Sequence, residues 1–478
     1  MAWQQYRIGP FTGLNQSVCE NALDSGESAD ARNMDTSGGR LSVARGYVTE
    51  SAAALPAPDG FTRLSVWNRA TGRIFFAFHA AGVSVLEPGA SAWRTLYAYP
   101  AGAQGERFDM QCVKLGSTEY AVLANGASQL VKWDGAAGTD AALFGSAEEL
   151  SNVPAAHLEL YYGRLFAAGD PSCPGRLYWS CAPGDGRTPE NWSSVTEGEN
   201  VSGGHVEVGT DSDPITGLFA LSNQLLIFKR DSLYRLLGDR PSNYRICPLN
   251  AAMRGPAHSA CVRYGDVLYF LTDAGLYYFD GQNVRRSADA DKARDFLAGA
   301  DLSGCVAAAC RDKLYFALRE HADSAANDAL LVYDLVRGTY MIRDGFTARG
   351  LCACDGTLFL LDGDGRVCRF DEGDSYAGER INAYWRTPLT DLGGKIAQKQ
   401  LRELYLRGSG GLMELSAETA AGTAYYERVM PGSTGEVLEA PLTALGRAFR
   451  LRLGNVGGSR FTVEGGVELL LDVQRRTL

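Results

Sequence analysis

A hairpin-like phrase that recurs about every 45 residues constrains the fold of this chain more than any other feature. Its clearest copy spans residues 264–280, where two short runs of aliphatic and aromatic residues flank a turn at 272–275. Asp and Gly tolerate the positive φ of a tight turn, and aliphatic and aromatic side chains pack well on a pleated sheet. This stretch therefore predicts a β-hairpin.

Similar phrases recur over most of the chain, and their spacing predicts the architecture. Most steps between successive copies lie close to the ~40–45 residues of one four-stranded propeller blade, and the one longer step contains a Gly/Pro-rich insertion. The sequence therefore predicts an all-β fold that begins with a seven-bladed β-propeller. The predicted hairpins lie at 72–86, 117–133, 162–179, 222–236, 266–279, 312–333 and 355–370.

The two ends of the chain differ from this repeat. After residue 378, short alternating segments replace the phrase, and their spacing is typical of an antiparallel β-sandwich. Residues 1–55 contain no long periodic run and indicate an extended arm with a small hairpin at 33–43. We predict three regions: the arm over 1–55, the propeller over 56–378 and a C-terminal β-sandwich over 379–478. We expect the arm to supply the outer or closing strand of the last blade, because that sheet edge would otherwise be exposed.

A single stretch of the repeat region favours a helix. Residues 288–300 combine acidic residues at the start with Phe296 and Leu297 further along, and acidic groups suit the positive end of a helix dipole. We therefore predict a short helical connector between the fifth and sixth blades.

Composition excludes several classes of function. The chain has 478 residues, of which 45% are hydrophobic and 21% charged, as in an ordinary globular protein. Its formal net charge of −10 argues against coating nucleic acid or anionic membranes, since both need a basic surface. No window approaches the ~20 apolar residues of a membrane span, and residues 1–6 begin no signal peptide. We expect synthesis in the cytoplasm and no membrane insertion.

The eleven cysteines are interpreted mainly as reduced, small core residues, because many lie beside Val, Ala and Leu in predicted strands. Zinc is an alternative, but Cys352, Cys354 and Cys368 do not have the spacing of a structural zinc site. Disulfides are the other alternative. The sequence predicts no metal site and no cofactor.

Motifs of known chemistry are missing from the sequence. It contains no nucleophile elbow, phosphate loop or dinucleotide loop, and its five histidines are isolated. We therefore predict that the chain is not an enzyme. Residues 362–366 (Asp-Gly-Asp-Gly-Arg) could suggest calcium, but Arg366 breaks the EF-hand pattern and Asp-Gly is also a turn signal. We interpret this segment as a turn.

The candidate site residues lie in and beside a polar stretch of about 35 residues between Ser180 and Ile215, a loop length that is often functional. Its tryptophan, Trp192, is interpreted as an anchor that packs the loop onto the blade, with a sugar platform as the alternative. Its carboxylates could form a glycosidase pair, but a solvated acidic loop is the default interpretation. The candidate contacts for a glycan or a partner are Trp179, Trp192, Glu197 and Asp211.

Three regions of the chain, each made of two short stretches, carry a resemblance to a known group of proteins. They are Ala-Arg-Asn-Met-Asp-x-x-Gly-Gly-Arg-Leu at 31–41 with Arg-Gly-Tyr at 45–47, the segments 384–393 and 399–406, and 177–180 leading to 189–192. These segments resemble tail-associated structural proteins of tailed bacteriophages, of the propeller-bearing nozzle, hub or head-closure type. In that group, segments like 384–393 and 399–406 form the strand pair that opens the C-terminal sandwich.

The resemblance implies a virion component without catalysis, assembled in the host bacterial cytoplasm. Its partners would be copies of itself in a ring and other tail or head–tail connector proteins. An acidic lumen would let DNA pass without specific binding, since negative walls repel phosphate. Two alternatives stay open: a propeller that binds or cleaves host glycans, and a cellular propeller that serves as a protein-interaction scaffold.

Overall fold

The computed structural model describes residues 2–56, 63–100, 108–145, 154–184, 187–192, 200–250, 256, 258–429 and 437–474. Over these residues the chain forms 42 strands and one short α-helix, α1 (Arg294–Gly299). The predicted all-β class is therefore confirmed. The described strands assemble into nine sheets. Sheets 1 to 7 are numbered in chain order from residue 63 onward, and sheets 8 and 9 are built on the C-terminal strands.

The N-terminal segment, residues 2–49, contributes short strands that do not form a sheet of their own. Two 3-10 turns, Glu20–Ala22 and Ser37–Gly39, separate some of them. The strands are β1 (Ala2–Ile8), β2 (Gly13–Leu14), β3 (Glu27–Ser28), β4 (Asp30–Arg32), β5 (Met34–Asp35), β6 (Leu41–Val43) and β7 (Tyr47–Thr49).

Sheets 1 to 7 follow one another along the chain, and consecutive strands within each sheet pair antiparallel. Sheet 1 contains β8 (Arg63–Arg69), β9 (Gly72–His79), β10 (Gly82–Leu86) and β11 (Arg94–Ala98). Sheet 2 contains β12 (Asp109–Leu115), β13 (Thr118–Ala124), β14 (Val131–Trp133) and β15 (Ala142–Leu143). Sheet 3 contains β16 (His157–Tyr161), β17 (Arg164–Asp170), β18 (Cys173–Trp179) and β19 (Gly204–Glu207).

The next four sheets repeat this order. Sheet 4 contains β20 (Ile215–Leu221), β21 (Gln224–Lys229), β22 (Leu233–Leu237) and β23 (Arg245–Asn250). Sheet 5 contains β24 (Cys261–Tyr264), β25 (Val267–Thr272), β26 (Gly275–Phe279) and β27 (Val284–Arg286). Sheet 6 contains β28 (Asp301–Cys310), β29 (Lys313–Arg319), β30 (Ala329–Asp334) and β31 (Thr339–Asp344). Sheet 7 contains β32 (Gly350–Cys354), β33 (Thr357–Leu361) and β34 (Val367–Phe370).

Each hairpin predicted from the repeated phrase forms the second and third strands of one of these sheets. In the clearest copy, β25 pairs with β26 so that Leu271 lies opposite Leu276 and Thr272 opposite Gly275. The helix prediction over 288–300 also agrees with the structure, which places a 3-10 helix (Ala290–Ala293) and α1 between sheets 5 and 6. Two further 3-10 turns are Pro241–Asn243 and His258–Ala260.

The first strands of sheets 1 to 7 lie side by side around a common centre. Direct contacts join β12 to β16, β16 to β20, β24 to β28, β28 to β32, and β32 back to β8. Side chains link the remaining neighbours, since Arg63 of β8 approaches Asp109 of β12 and Arg263 of β24 binds Ala220 of β20. Small sheets that surround a centre with their first strands innermost are typical of a β-propeller.

The C-terminal residues form sheets 8 and 9, whose facing side chains share one apolar cluster that includes Trp385, Leu404, Met413 and Leu469. Sheet 8 is built on the long antiparallel pair β36–β42, and β39 and β40 pair with β36. Sheet 9 has the order β38-β37-β41-β35. The strands are β35 (Tyr384–Arg386), β36 (Gln398–Gly410), β37 (Met413–Thr419), β38 (Gly422–Val429), β39 (Val437–Ala440), β40 (Ala444–Gly446), β41 (Arg450–Asn455) and β42 (Phe461–Gln474).

One expectation for this region is wrong. The segments 384–393 and 399–406 do not pair with each other, because β35 lies in sheet 9 and β36 lies in sheet 8. The intervening residues, which include Pro388, carry the chain from one sheet to the other. Proline lacks a backbone donor and cannot continue a central sheet ladder, which is why the strand ends before it.

The N-terminal segment adds strands to four different sheets. Strand β1 and the β5–β6 hairpin join sheet 8 through β42, and β4 joins sheet 9 through β35. Strands β2 and β3 extend sheet 6 beyond β31, and β7 pairs with β34 as the fourth strand of sheet 7. The expected closing strand is therefore present, and the hairpin predicted at 33–43 pairs as β5 with β6. The same segment also connects sheets 6 and 7 with sheets 8 and 9.

Asn33 lies at the point where these parts of the chain meet. It is 1% exposed, and its amide nitrogen donates to Asp344 Oδ1 at 2.7 Å and to the Asn382 carbonyl at 2.8 Å. Its amide oxygen accepts from the Asp344 backbone N–H at 3.0 Å and the Tyr376 hydroxyl at 2.9 Å. One side chain thereby bonds sheet 6 to the segment that leads into sheets 8 and 9.

Gly46 and Tyr47 fix the segment against sheet 7. The Tyr47 ring stacks on Tyr376 with centroids 5.3 Å apart and meets Phe346 edge-on at 5.9 Å. A Cβ at Gly46 would lie 2.0 Å from the Ser375 carbonyl oxygen, so only glycine fits this close backbone approach. The motif at 31–47 therefore specifies a junction between sheets.

Candidate ligand-binding cavity

A cavity of about 350 Å³ lies at the centre of sheets 1 to 7, between their first strands. This volume is within the range of ligand pockets. Side chains of β28 and β32 on one side are small: Ala307, Ala309 and Ala353 line the cavity. Val306 and Ala308 of the same strand also line the cavity.

Charged side chains also line the cavity. Arg63 and Arg263 line it directly, and Asp109 and Glu159 lie next to them on β12 and β16. These four residues, named here the charged cluster, come from sheets 1, 2, 3 and 5. The cavity therefore has charged groups as well as alanine methyl groups in its lining.

Asp109 is held by backbone donors as well as by a cation. Its Oδ1 lies 3.6 Å from Arg63 Nη1, and its carboxylate accepts backbone N–H bonds from Met110 at 2.8 Å and Leu158 at 2.9 Å. Burial raises the pKa of the Asp109 carboxyl, and the Arg63 charge opposes that rise. This carboxyl ties the first strands of sheets 1, 2 and 3 together.

Glu159 is the most strongly perturbed member of the charged cluster. Burial raises the pKa of Glu159 to about 8, and the neighbouring Asp109 charge adds to the effect. The Ala220 backbone N–H and the Arg263 guanidinium act in the opposite direction. At neutral pH this side chain is therefore mostly a protonated carboxylic acid, which can donate a hydrogen bond.

Arg263 is the exposed cation of the charged cluster. It lies on β24, and its Nη1 donates to the Ala220 carbonyl oxygen at 3.1 Å. Ala220 thus binds Glu159 through its N–H and Arg263 through its carbonyl. Beside a small apolar surface, this exposed guanidinium is suited to binding a polar ligand.

The aromatic residues selected from the sequence lie away from this cavity and are largely packed. Trp192 is 4% exposed and belongs to an apolar cluster with Val122, Leu158 and Tyr178 of sheets 2 and 3. The interpretation of Trp192 as a loop anchor therefore agrees with the structure. Trp179 is partly buried at the end of β18, where its ring meets Tyr244 edge-on at 5.4 Å.

Of the two predicted acidic contacts, Glu197 and Asp211, the structure describes Asp211. Asp211 is exposed, and its Oδ1 accepts from the Gly175 backbone N–H at 3.1 Å. Glu190 lies on the other side of the loop, with Oε1 2.5 Å from Lys132 Nζ of sheet 2. Asp213 accepts from the Ser232 hydroxyl in sheet 4 at 2.5 Å. Glu197 lies outside the described residues.

A buried arginine organises the loop that contains Trp192. Arg164 is 1% exposed, and its guanidinium donates to the backbone carbonyls of Ser180 at 2.6 Å, Ser202 at 2.8 Å and Asn200 at 2.5 Å. The buried charge is compensated by carbonyl dipoles, which hold both ends of the loop next to β17.

The segment 362–366 is a turn, as interpreted from the sequence. Asp362 Oδ1 accepts backbone N–H bonds from Asp364 at 3.0 Å and Arg366 at 2.8 Å, and Arg366 Nε donates to Asp362 Oδ2 at 3.1 Å. These bonds use the carboxylate that a calcium ion would need. Over the described residues, no group of three or more His, Cys, Asp or Glu side chains could hold a metal ion, and no helix is long and apolar enough to cross a membrane.

Sequence reasoning missed the charged cluster. Its members come from four separate repeats, and nothing local marks them as neighbours. The available signal is a single charge within an apolar strand, as in Leu158-Glu159-Leu160 and Val262-Arg263. A charged residue in the first strand of a propeller blade either points toward the centre or is buried at a cost in free energy. Such a residue is therefore a candidate for a functional site.

Comparison with known proteins gives no family. No family model and no curated protein matches the chain. Among solved structures, the chain is similar to BamB from Moraxella catarrhalis, with 12% identity over 77% of this chain and 98% of that chain and a TM-score of 0.39. It is also similar to the Pan2 WD40 domain of Neurospora crassa, with 9% identity over 68% of this chain and 95% of that chain and a TM-score of 0.42. Both are β-propellers. Neither comparison points to a phage tail protein.

Proposed function

We propose that this chain is a propeller scaffold that binds a partner and performs no catalysis of its own. In this proposal sheets 1 to 7 are the seven blades over residues 56–378, and sheets 8 and 9 are the two layers of a β-sandwich over 379–478. The N-terminal segment braces the two parts. The tail-protein interpretation stays a prediction from the sequence motifs.

The central cavity and its charged cluster carry this proposal. A partner segment that enters the cavity meets the Arg263 guanidinium and the methyl groups of several alanines. Arg263 and these alanines lie on strands whose backbones are paired by continuous ladders of hydrogen bonds. The site is therefore preorganised, and little conformational entropy is lost on binding. By contrast, the buried Trp192 offers no free ring face for a sugar, so the structure gives the glycan alternative less support.

A photo-crosslinking amino acid at Ser65, which lines the cavity, tests the proposal directly. In the cells from which the gene comes, we expect irradiation to attach a defined partner to the Ser65 variant. The matched control places the same amino acid at Thr95, an exposed position on the outer strand of the same sheet. Equal labelling at both positions, or none at Ser65, would contradict a partner site at the cavity.

A further inference from the structure

We propose that the central cavity recognises a carboxylate group, held by the Arg263 guanidinium. This inference rests on the proposed function, because it names the chemistry that a partner or ligand presents to the cavity. It concerns a small carboxylic acid or the side chain of a glutamate or aspartate, which share this group.

The hydrogen bonding of Arg263 supports an anionic ligand. To the described residues, Arg263 donates one hydrogen bond, from Nη1 to the Ala220 carbonyl at 3.1 Å. A guanidinium has five N–H donors in a planar fork. The remaining donors of this exposed side chain can face the cavity that it lines. A carboxylate matches the fork with two parallel hydrogen bonds.

The charge balance also favours an anion. Arg63 and Asp109 lie 3.6 Å apart and offset each other. Glu159 is mostly neutral at pH 7, since burial raises its pKa to about 8. Arg263 therefore leaves the charged cluster with about one uncompensated positive charge inside a protein whose net charge is −10. A single carboxylate neutralises this charge.

The size and lining of the cavity limit what the carboxylate can be attached to. About 350 Å³ corresponds to roughly a dozen water-sized volumes, which admits one small acid or one acidic side chain. Ala307, Ala309 and Ala353 offer methyl groups to its hydrocarbon part. A phosphate dianion would bring more charge than the cluster compensates and has no apolar part for this surface, so we expect it to bind less well.

The dependence of ligand affinity on pH gives a second test of the inference. The charged or titratable groups around Glu159 are Asp109 on β12, Arg263 on β24 and His157 on its own strand, with Arg63 behind Asp109. When pH rises past about 8, Glu159 becomes an anion and the net positive charge of the charged cluster is lost. The affinity for a carboxylate should therefore fall as pH rises from 6.5 to 9.

Ligand-observed NMR titrations of the whole chain with glutarate, N-acetyl-glutamate amide and inorganic phosphate test the inference. We expect both carboxylates to bind more tightly than phosphate, and Arg263→Met to weaken them by about tenfold or more. Arg285→Met is the matched control, since Arg285 is an exposed arginine of the same sheet that pairs with Asp280 instead. Glu159→Gln stays neutral at every pH, so binding should persist and its pH dependence should disappear.

The outcomes separate the two proposals and the two sources of the carboxylate. Tighter binding of glutarate indicates a free acid, and tighter binding of N-acetyl-glutamate amide indicates an acidic side chain. If Arg263→Met does not weaken carboxylate binding, or if phosphate binds more tightly than the carboxylates, the carboxylate inference is overturned. A partner crosslinked equally well to the Ser65 probe with and without Arg263→Met leaves the scaffold proposal intact and rejects the carboxylate. Carboxylate binding without any crosslinked partner rejects the scaffold instead.

Discussion

The amide of Asn33 bonds parts of the chain that are more than 300 positions apart in sequence. Its backbone φ of +53° lies in the left-handed region, which asparagine tolerates better than most residues. Both properties point to the same requirement: an amide side chain on a tightly turned backbone at the junction of several sheets. The residue type is therefore specified twice, by hydrogen bonding and by conformation.

We expect Asn33→Ala to lower the free energy of unfolding by about 3 kcal/mol, because buried partners such as Asp344 and Tyr376 lose their bonds. Asn33→Gly should cost about 1 kcal/mol less than Ala, since glycine adopts positive φ without strain. Urea denaturation measures both. The control, exposed Asn283→Ala, should stay within about 0.5 kcal/mol of the parent. Equal losses for Ala and Gly would show that φ at position 33 is unimportant.

Glu159 makes stability depend on pH. Burial raises its pKa to about 8 in the folded chain, above the ordinary value of 4.5. Between these two values the folded state keeps a proton that the unfolded state has lost, so stability falls as pH rises from 5 to 8. Glu159→Gln should remove this loss and gain roughly 1–3 kcal/mol relative to the parent over that interval.

Urea denaturation of both chains at pH 5 and pH 8 measures the Glu159 contribution. Glu468→Gln, which changes an exposed glutamate of β42, serves as the control and should follow the parent at both pH values. A constant difference between Glu159→Gln and the parent at the two pH values would contradict the assignment.

At the scale of the element, strand β7 completes sheet 7, and the residue before it determines whether it can dock. A Cβ at Gly46 would lie 2.0 Å from the Ser375 carbonyl oxygen and 2.5 Å from its carbonyl carbon. Because these are backbone atoms, the overlap cannot be relieved by a side-chain rotation. The edge of β34 would then lose its partner and be open to pairing with other chains.

We expect Gly46→Ala to destabilise the chain by about 2–4 kcal/mol and to promote aggregation on heating. Thermal unfolding followed by light scattering measures both effects. Gly299→Ala is the matched control, since a Cβ there would have its nearest neighbour 3.9 Å away, at the Glu320 carbonyl oxygen. If the two variants behave alike, the close approach at Gly46 does not control the docking of β7.

Elements differ in how far the sequence predicts them. The hairpins of sheets 1 to 7 are local, so turn residues and alternating apolar residues were sufficient to find them. The partners of β1 and β4, and the β42 partner of β6, lie hundreds of residues away, and short strands carry little register information of their own. The charged cluster was missed for the same reason, because Arg63, Glu159 and Arg263 meet only when the ring of first strands is assembled.

At the scale of the whole molecule, the N-terminal segment connects sheets 6 and 7 with sheets 8 and 9. Besides its strands, it contributes ion pairs: Arg32 binds Glu320 of sheet 6 and lies 3.5 Å from Asp344, and Asp30 binds Arg386 of sheet 9 at 2.9 Å. Its contribution should therefore not depend on the covalent link that follows it.

Cutting the chain at a protease site inserted after Pro56 tests this arrangement. Pro56 is exposed and follows β7, so the cut leaves all strands of the segment intact. We expect residues 1–56 to stay bound during size-exclusion chromatography and to leave only in denaturant, because their strands pair in sheets 6, 7, 8 and 9. Release of the fragment under native conditions would show that the pairing does not hold by itself.

The pairing of β1 with β42 also has a consequence in time. Arg7 and the Gly465 carbonyl that it binds are 458 positions apart, so the partner of β1 is synthesised long after β1 itself. At ~5–20 residues per second, this interval lasts roughly 20–90 s. During it, exposed Trp3 and the whole backbone edge of β1 lack their native partner. The speed of the ribosome therefore sets how long a cell must protect this strand from neighbouring nascent chains.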